Sequence, residues 1–118
     1  MSAPRTAGDW HRPARLVQAQ IRAMQPWPNA YTYWHSAAGK RVTRLIINSS
    51  EVGTHETTEQ APGFYIADEK LLLVACSDNT VLSVLEVQPS GKRRMSVTEF
   101  RRGQRFEPGD RFGPEVLI

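Results

Sequence analysis

Two apolar runs joined by a tight turn constrain the fold of this chain most strongly. Residues 71–77 read LLLVACS and residues 81–88 read VLSVLEVQ, with Asp78 and Asn79 between them. Asp and Asn tolerate the left-handed backbone that a short hairpin turn requires. Because the connection is too short for a parallel crossover, the two runs are predicted to pair as antiparallel strands.

Three further β-rich runs lie at residues 31–35, 41–47 and 64–67. Short, closely spaced strands with one preceding helix predict a mainly β fold with flanking helices, namely a small open OB-like antiparallel β-barrel preceded by one amphipathic helix. The strand at residues 81–88 is expected to be the last of this barrel, and Arg44 to lie near an edge or rim. Residues 48–62 are polar and acidic and are expected to form a mobile loop.

The preceding helix is predicted from its start signal and its periodicity. Pro13 suits the first turn of a helix, and the helix is expected to run for about 12 residues. Arg15 and Arg22 lie off the apolar stripe and are expected to point into solvent. The stripe itself is formed by Leu16, Val17, Ile21 and Met24.

A second, shorter helix follows a basic turn. Ser96 and Glu99 have the spacing of a capping box, Phe100 supplies an apolar anchor, and Gly103 ends the helix. The Pro-Ser-Gly sequence before it delivers residues 92–94, which read KRR. Between residues 82 and 103 the chain therefore changes from an apolar strand to a strongly basic segment, within roughly twenty residues. The residues after Pro108 are read as a turn and an ordinary tail.

The net charge of +3 conceals a segregation of charge along the chain. Residues 1–45 carry seven basic residues against one acidic residue, residues 46–87 carry one against seven, and residues 88–118 carry seven against four. If the two basic ends fold onto one face, that face suits a polyanion such as nucleic acid. The candidate nucleic-acid-binding residues are Arg15, Arg22, Lys40, Arg41, Arg44, Lys92, Arg93, Arg94, Arg101, Arg102 and Arg105.

Length and composition limit the other possibilities. The 118 residues are enough for one domain, predicted at residues 9–118 after a disordered leader at residues 1–8. Cys76 is the only cysteine and is interpreted as a small core residue. No apolar run is long enough to span a bilayer. Neither a phosphate-cradling glycine loop, nor a metal-ligand spacing, nor a nucleophile with an evident partner is found, so no catalytic residue and no metal are predicted.

Four stretches, in order, resemble the C-terminal domain of methionyl-tRNA formyltransferase. They are IRAMQPWPNAY, APGFYIA, LLLVACSDNTVLSVLEVQPSGKRRMSVTEFRRG and PGDRF, and the most specific segment is LEVQPSGKRRMSVTEF. The resemblance covers roughly residues 9–112 and implies an open OB-like barrel with a helix at its start. By position, Lys92, Arg93 and Arg94 match the basic end of the family's Q-x-x-G-K-[KR]-x-M segment.

The resemblance also implies that catalysis and tRNA binding are carried out by different domains. In the family's full enzyme, an N-terminal Rossmann-like domain binds 10-formyltetrahydrofolate and transfers the formyl group to initiator methionyl-tRNA. The resemblance therefore implies no cofactor for this chain and an accessory role, holding tRNA through its phosphates beside a catalytic domain in cis or in trans. The single cysteine, which allows no internal disulfide, favours the cytoplasm as the location. The alternative is a docking module of a formyltransferase for a small molecule such as a sugar nucleotide, with apolar contacts through Trp10, Trp27 or Trp34.

Overall fold

The computed structural model describes residues 10–23, 30–37, 41–53 and 58–113. Strands predominate in it, and the predicted mainly β class with flanking helices is confirmed. No helix within these ranges is long and apolar enough to cross a membrane. The elements are α1 (Ala14–Ala23), β1 (Ala30–His35), β2 (Val42–Val52), β3 (Tyr65–Ile66), β4 (Leu72–Ala75), β5 (Val81–Pro89), β6 (Met95–Ser96), α2 (Val97–Gly103) and β7 (Arg111–Gly113).

The strands form one open antiparallel sheet. Their order is β3-β4-β5-β2-β1-β7, and β6 pairs with β5 beside this path. The strand β5 therefore lies in the interior of the sheet, between β4 and β2. The expectation that it would be the last strand is wrong, because β6 and β7 follow it and β7 pairs with β1.

The hairpin on which the fold prediction rested is present. β4 and β5 pair in register from Leu72 opposite Val84 to Ala75 opposite Val81. Asp78 and Asn79 between them both have a φ of 59°. Two consecutive residues with positive φ make the turn type whose twist matches that of the flanking strands.

β2 is longer than predicted. It continues through residues 48–52 and pairs with β5 along this part, with register shifts after Ile47 and after Ser49. The predicted loop is therefore wrong for residues 48–52, and residues 54–57 lie outside the described residues. Such bulges bend a strand and interrupt its ladder locally, and here the pairing with β5 resumes beyond each of them. Arg44 lies two residues after the start of β2 and next to Leu45, where the pairing of β2 with β5 begins, so it lies near the rim of the sheet, as predicted.

The two ends of the open sheet approach each other at Gly63. Phe64 and Arg111 form an isolated antiparallel bridge, and the Phe112 amide donates to the Gly63 carbonyl at 2.7 Å. Gly63 has a φ of +94°, and a Cβ there would lie 2.6 Å from the Phe112 carbonyl oxygen. Only glycine permits this close backbone approach.

The core lies between the inner face of the sheet and α1. The helix buries Ala14, Val17 and Ile21, whereas Leu16 is exposed, contrary to the predicted stripe. Met24 lies outside the described residues. Trp10 is buried and donates from Nε1 to Thr32 Oγ1 at 3.2 Å, which satisfies its polar atom inside the core.

The segment after α2 is part of the core rather than a tail. Asp110 is buried, and its carboxylate accepts hydrogen bonds from Trp34 Nε1 at 2.9 Å, from the Ala37 amide at 2.6 Å and from the Glu107 amide at 3.0 Å. Phe106 is also buried. This carboxylate ties the connection after β1 to the segment between α2 and β7.

Cys76 is a buried core residue, as predicted, and burial raises the pKa of its thiol to about 12. At pH about 8 only ~0.01 % of it is thiolate, the form that reacts with disulfide reagents. We therefore expect an aromatic disulfide reagent to label Cys76 at least a hundred-fold more slowly in the folded chain than in denaturant. The reaction is measured by absorbance. If the folded chain is labelled within minutes, the expectation is wrong and the structure opens locally at β4.

Candidate nucleic-acid interface

The basic turn between β5 and β6 is held at both ends. The Lys92 amide donates to the Pro89 carbonyl at 3.0 Å, and Gly91 has the positive φ that this tight turn uses. On the far side, Ser96 caps α2, and its side chain accepts from the Glu99 amide at 3.1 Å. The predicted N-cap at Ser96 is confirmed, whereas the Glu99 side chain of the predicted capping box pairs with Arg93 instead.

Two of the three cations on this turn have acidic partners. Arg93 forms an ion pair with Glu99, and Arg94 donates from Nε and Nη2 to Glu86 Oε1 at 3.1 and 2.5 Å. Exposed ion pairs of this kind contribute only about 0–1 kcal/mol each, so a phosphate can replace the carboxylate. Lys92 has no ion-pair partner among the described residues. The turn is therefore less basic than its KRR sequence indicates.

Arg101 has a structural role instead of a free guanidinium. Its Nη1 donates to the Leu71 carbonyl at 2.7 Å and its Nη2 to the Asp68 carbonyl at 2.8 Å. The turn that it holds is ordered by Asp68, whose carboxylate accepts from the Leu71 and Lys70 amides. These hydrogen bonds lower the pKa of Asp68 below its ordinary value, and the bond from the Leu71 amide has the largest effect. Arg101 therefore joins α2 to the connection before β4.

Arg102 and Arg105 are exposed beside this anchor, and neither has an ion-pair partner within the described part of the chain. They line a concavity of about 320 Å³ together with Glu69 and Arg101. Its lining has a net positive charge, since it contains three guanidinium groups and one carboxylate. Such a concavity suits an anionic group of phosphate size.

A second concavity, of about 370 Å³, lies on the other side of α2. Arg41 and Lys92 supply its positive charge, and Met95 and Phe100 supply apolar surface. Gln104 lines both concavities. We call the exposed cations around the end of α2 the α2 basic surface. It consists of Arg41, Lys92, Arg102 and Arg105.

The other predicted site residues lie elsewhere. Arg15 and Arg22 are exposed on α1, where Gln18 donates to the Ser50 carbonyl at 3.1 Å. Ser50 is nine residues along the chain from Arg41, which corresponds to at most roughly 30 Å along β2. Gln18 of α1 therefore contacts the C-terminal part of β2, whereas Arg41 of the α2 basic surface directly precedes its first residue.

Arg44 points away from the core, and its Cζ lies 4.5 Å from the centre of the Tyr31 ring. Lys40 lies outside the described residues. The described residues contain no cluster of three or more His, Cys, Asp or Glu side chains able to hold a metal ion.

Comparison with known proteins identifies the family of this chain. A family model described as formyl transferase, C-terminal domain, matches residues 7–105. The chain belongs to this family. All four members of the α2 basic surface fall within the matched residues. Phe106 and the Asp110 carboxylate lie beyond the match.

Methionyl-tRNA formyltransferases are among the similar proteins. That of Bacillus velezensis is 38% identical over 106 residues, which are 89% of this chain and 31% of that protein. That of Magnetococcus marinus is 42% identical over 106 residues, with the same two shares, 89% and 31%. That of Enterococcus faecalis is 37% identical over 98 residues, or 80% of this chain and 28% of that protein. The chain thus spans about a third of the length of these relatives.

Proposed function

We propose that this chain is a non-catalytic accessory module of a methionyl-tRNA formyltransferase-like protein and binds tRNA through its phosphates. The observation that carries the proposal is the α2 basic surface, where four exposed cations without described acidic partners converge on the end of one short helix. Phosphate contacts of this kind supply affinity and orientation without reading the sequence. The names of the related proteins support tRNA as the polyanion.

Formyl transfer itself is assigned, in this proposal, to a separate Rossmann-like domain in cis or in trans. That domain would bind 10-formyltetrahydrofolate, so this chain needs no cofactor of its own. The module would hold initiator methionyl-tRNA while the catalytic domain acts on its amino group, and the reaction would take place in the cytoplasm.

Two of the three tryptophans named for the docking alternative are buried. Trp10 and Trp34 are buried in the core and are not available to a partner, and Trp27 lies outside the described residues. The expectation that the first two would form an apolar docking surface is therefore wrong.

Changing Lys92, Arg102 and Arg105 together to alanine tests the proposal. Each lost phosphate contact lowers the slope of log affinity against log salt by about 0.9, so the triple variant should lose about 2 to 3 units of slope. The measurement is initiator tRNA binding, followed by fluorescence anisotropy between about 50 and about 200 mM KCl.

The double change of Arg15 and Arg22 to alanine is the matched control, because it removes exposed arginines but leaves the α2 basic surface intact. Its slope should stay close to that of the unaltered chain. Equal losses of slope in both variants would overturn the assignment to the α2 basic surface. Undetectable tRNA binding at low salt would overturn the function, and a complex that persists unchanged at high salt would favour docking.

A further inference from the structure

The outer face of the sheet carries aromatic and cationic side chains that phosphate binding at α2 does not use. Along β1, Thr32 and Trp34 are buried on the core side, whereas Tyr31 and Tyr33 alternate with them and are half-buried. Tyr33 pairs with Arg44 of β2, and directly paired residues lie on the same face. Tyr31, Tyr33 and Arg44 therefore share the outer face.

The first cluster on this face stacks a cation on a ring. The Arg44 Cζ lies 4.5 Å from the centre of the Tyr31 ring, and the Tyr31 and Tyr33 rings meet edge to face at 5.9 Å. Arg44 is an exposed residue, so its side chain is accessible from solvent beside the Tyr31 ring. A guanidinium group beside an aromatic ring offers a cationic, planar group on which a planar ligand can stack.

A second pair repeats the arrangement on the neighbouring strand. Arg111 pairs with His35 of β1 and forms the bridge with Phe64, and its Cζ lies 5.0 Å from the centre of the Phe64 ring. Arg111 is exposed and Phe64 is half-buried. Tyr33 pairs with Arg44 on one side and with Gly113 on the other, and Arg111 is two residues before Gly113. Two strand spacings and two residues correspond to about 12 Å between Arg44 and Arg111.

The charge of this face favours an anionic ligand. We call the surface formed by Tyr31, Tyr33, Arg44, Phe64 and Arg111 the sheet-face patch. Two guanidinium groups lie on it among three rings, and none of the residues that pair with its members in the register carries a carboxylate. A ligand with planar rings at intervals along a negatively charged backbone matches both features.

We infer that the sheet-face patch stacks unpaired bases of a single-stranded RNA segment, and this inference rests on the proposed RNA-binding function. One base stacks on the Arg44–Tyr31 pair and another on the Arg111–Phe64 pair, while the guanidinium groups also approach the backbone phosphates. A duplex keeps its base faces inside its own stack, so this surface selects loops and free ends. Stacking reads little sequence, because every base has an aromatic face.

The test compares two RNA probes on the full chain. One is an unpaired octamer of uridine, and the other is a duplex with the same number of phosphates. Changing Arg44 to lysine keeps the charge but removes the planar group. We expect it to weaken octamer binding about ten-fold with an unchanged salt slope, and to leave duplex binding within about two-fold.

Two other variants make the reading specific. Tyr31→Phe keeps the ring and should bind the octamer as the unaltered chain does, whereas Tyr31→Leu should lose about ten-fold. Because Tyr31 is half-buried, a melting curve must first show that Tyr31→Leu is folded. The exposed Arg44→Lys substitution decides the question if it is not. Arg22→Lys on α1 is the matched control and should change neither affinity.

Equal octamer affinity for the unaltered chain and Arg44→Lys overturns the inference, as does equal binding of octamer and duplex by the unaltered chain. These outcomes differ from failure of the proposed function, which appears as absent tRNA binding or as no effect of the Lys92, Arg102 and Arg105 changes. Octamer binding that depends on Arg44 without any tRNA binding would keep the inference and overturn tRNA as the ligand.

Discussion

Replacing Asp110 by alanine is expected to lower the free energy of unfolding by about 3 to 4 kcal/mol. The substitution leaves three donors, Trp34 Nε1 and the amides of Ala37 and Glu107, without the acceptor that they share. A buried donor without a partner costs about 1–3 kcal/mol, and the three costs are not fully additive because one cavity serves them all. This is a large part of the total stability of a small domain, about 5–15 kcal/mol.

Urea unfolding of the Asp110→Ala chain measures this loss, with a slope close to that of the unaltered chain if both unfold in one step. Glu107→Ala is the matched control. It removes one negative charge from an exposed side chain three residues before Asp110 and leaves the Glu107 amide in place. It should therefore change the free energy of unfolding by less than about 0.5 kcal/mol. A loss below about 1 kcal/mol for Asp110→Ala would mean that water entering the cavity replaces the carboxylate as the acceptor.

The sequence predicted elements whose signal is local. The hairpin of β4 and β5 follows from its turn, because Asp78 and Asn79 adopt the positive φ that their side chains tolerate. The cap of α2 follows from Ser96, whose side-chain oxygen accepts a hydrogen bond from the Glu99 amide. Each prediction depends on only a few neighbouring residues, so no knowledge of the remaining chain was needed.

Long-range pairing was not predictable in this way. β7 has only three residues and no periodicity, and its place beside β1 depends on a register between residues about eighty positions apart in the chain. The extension of β2 through residues 48–52 was missed because these residues are polar, although their pairing with β5 resumes beyond each bulge. The buried role of Asp110 has no sequence signal except its turn context after Pro108 and Gly109.

The candidate site also has features that the sequence predicts locally and features that depend on long-range packing. The sign of the charge around α2 follows from composition, but the ion pairs of Arg93 and Arg94 join residues six and eight positions apart through the packing of β5, β6 and α2. The commitment of Arg101 to the Leu71 and Asp68 carbonyls spans about thirty positions. The alternation of Tyr31 and Tyr33 with Thr32 and Trp34 was visible as a period of two. It would have placed both tyrosines on one face.

Phe106 is the ring around which the aromatic part of the core is arranged. Its centroid lies 4.4 Å from that of Trp34, 5.4 Å from that of Tyr65 and 5.8 Å from that of Phe100. The Arg101 Cζ lies 5.6 Å from the same ring. Removal of this side chain therefore leaves a cavity between β1, β3 and α2 that three rigid neighbours cannot fill by small movements.

Phe106→Ala is accordingly expected to cost about 3 to 5 kcal/mol of unfolding free energy, and Phe106→Leu about 1.5 kcal/mol, because leucine keeps most of the volume. Urea unfolding of both variants measures the difference between them. Equal costs would show that ring geometry rather than volume is decisive, and a cost below about 1 kcal/mol for alanine would show that this segment unfolds separately. Phe106 directly follows Arg105, so the core anchors the backbone next to the last cation of the α2 basic surface.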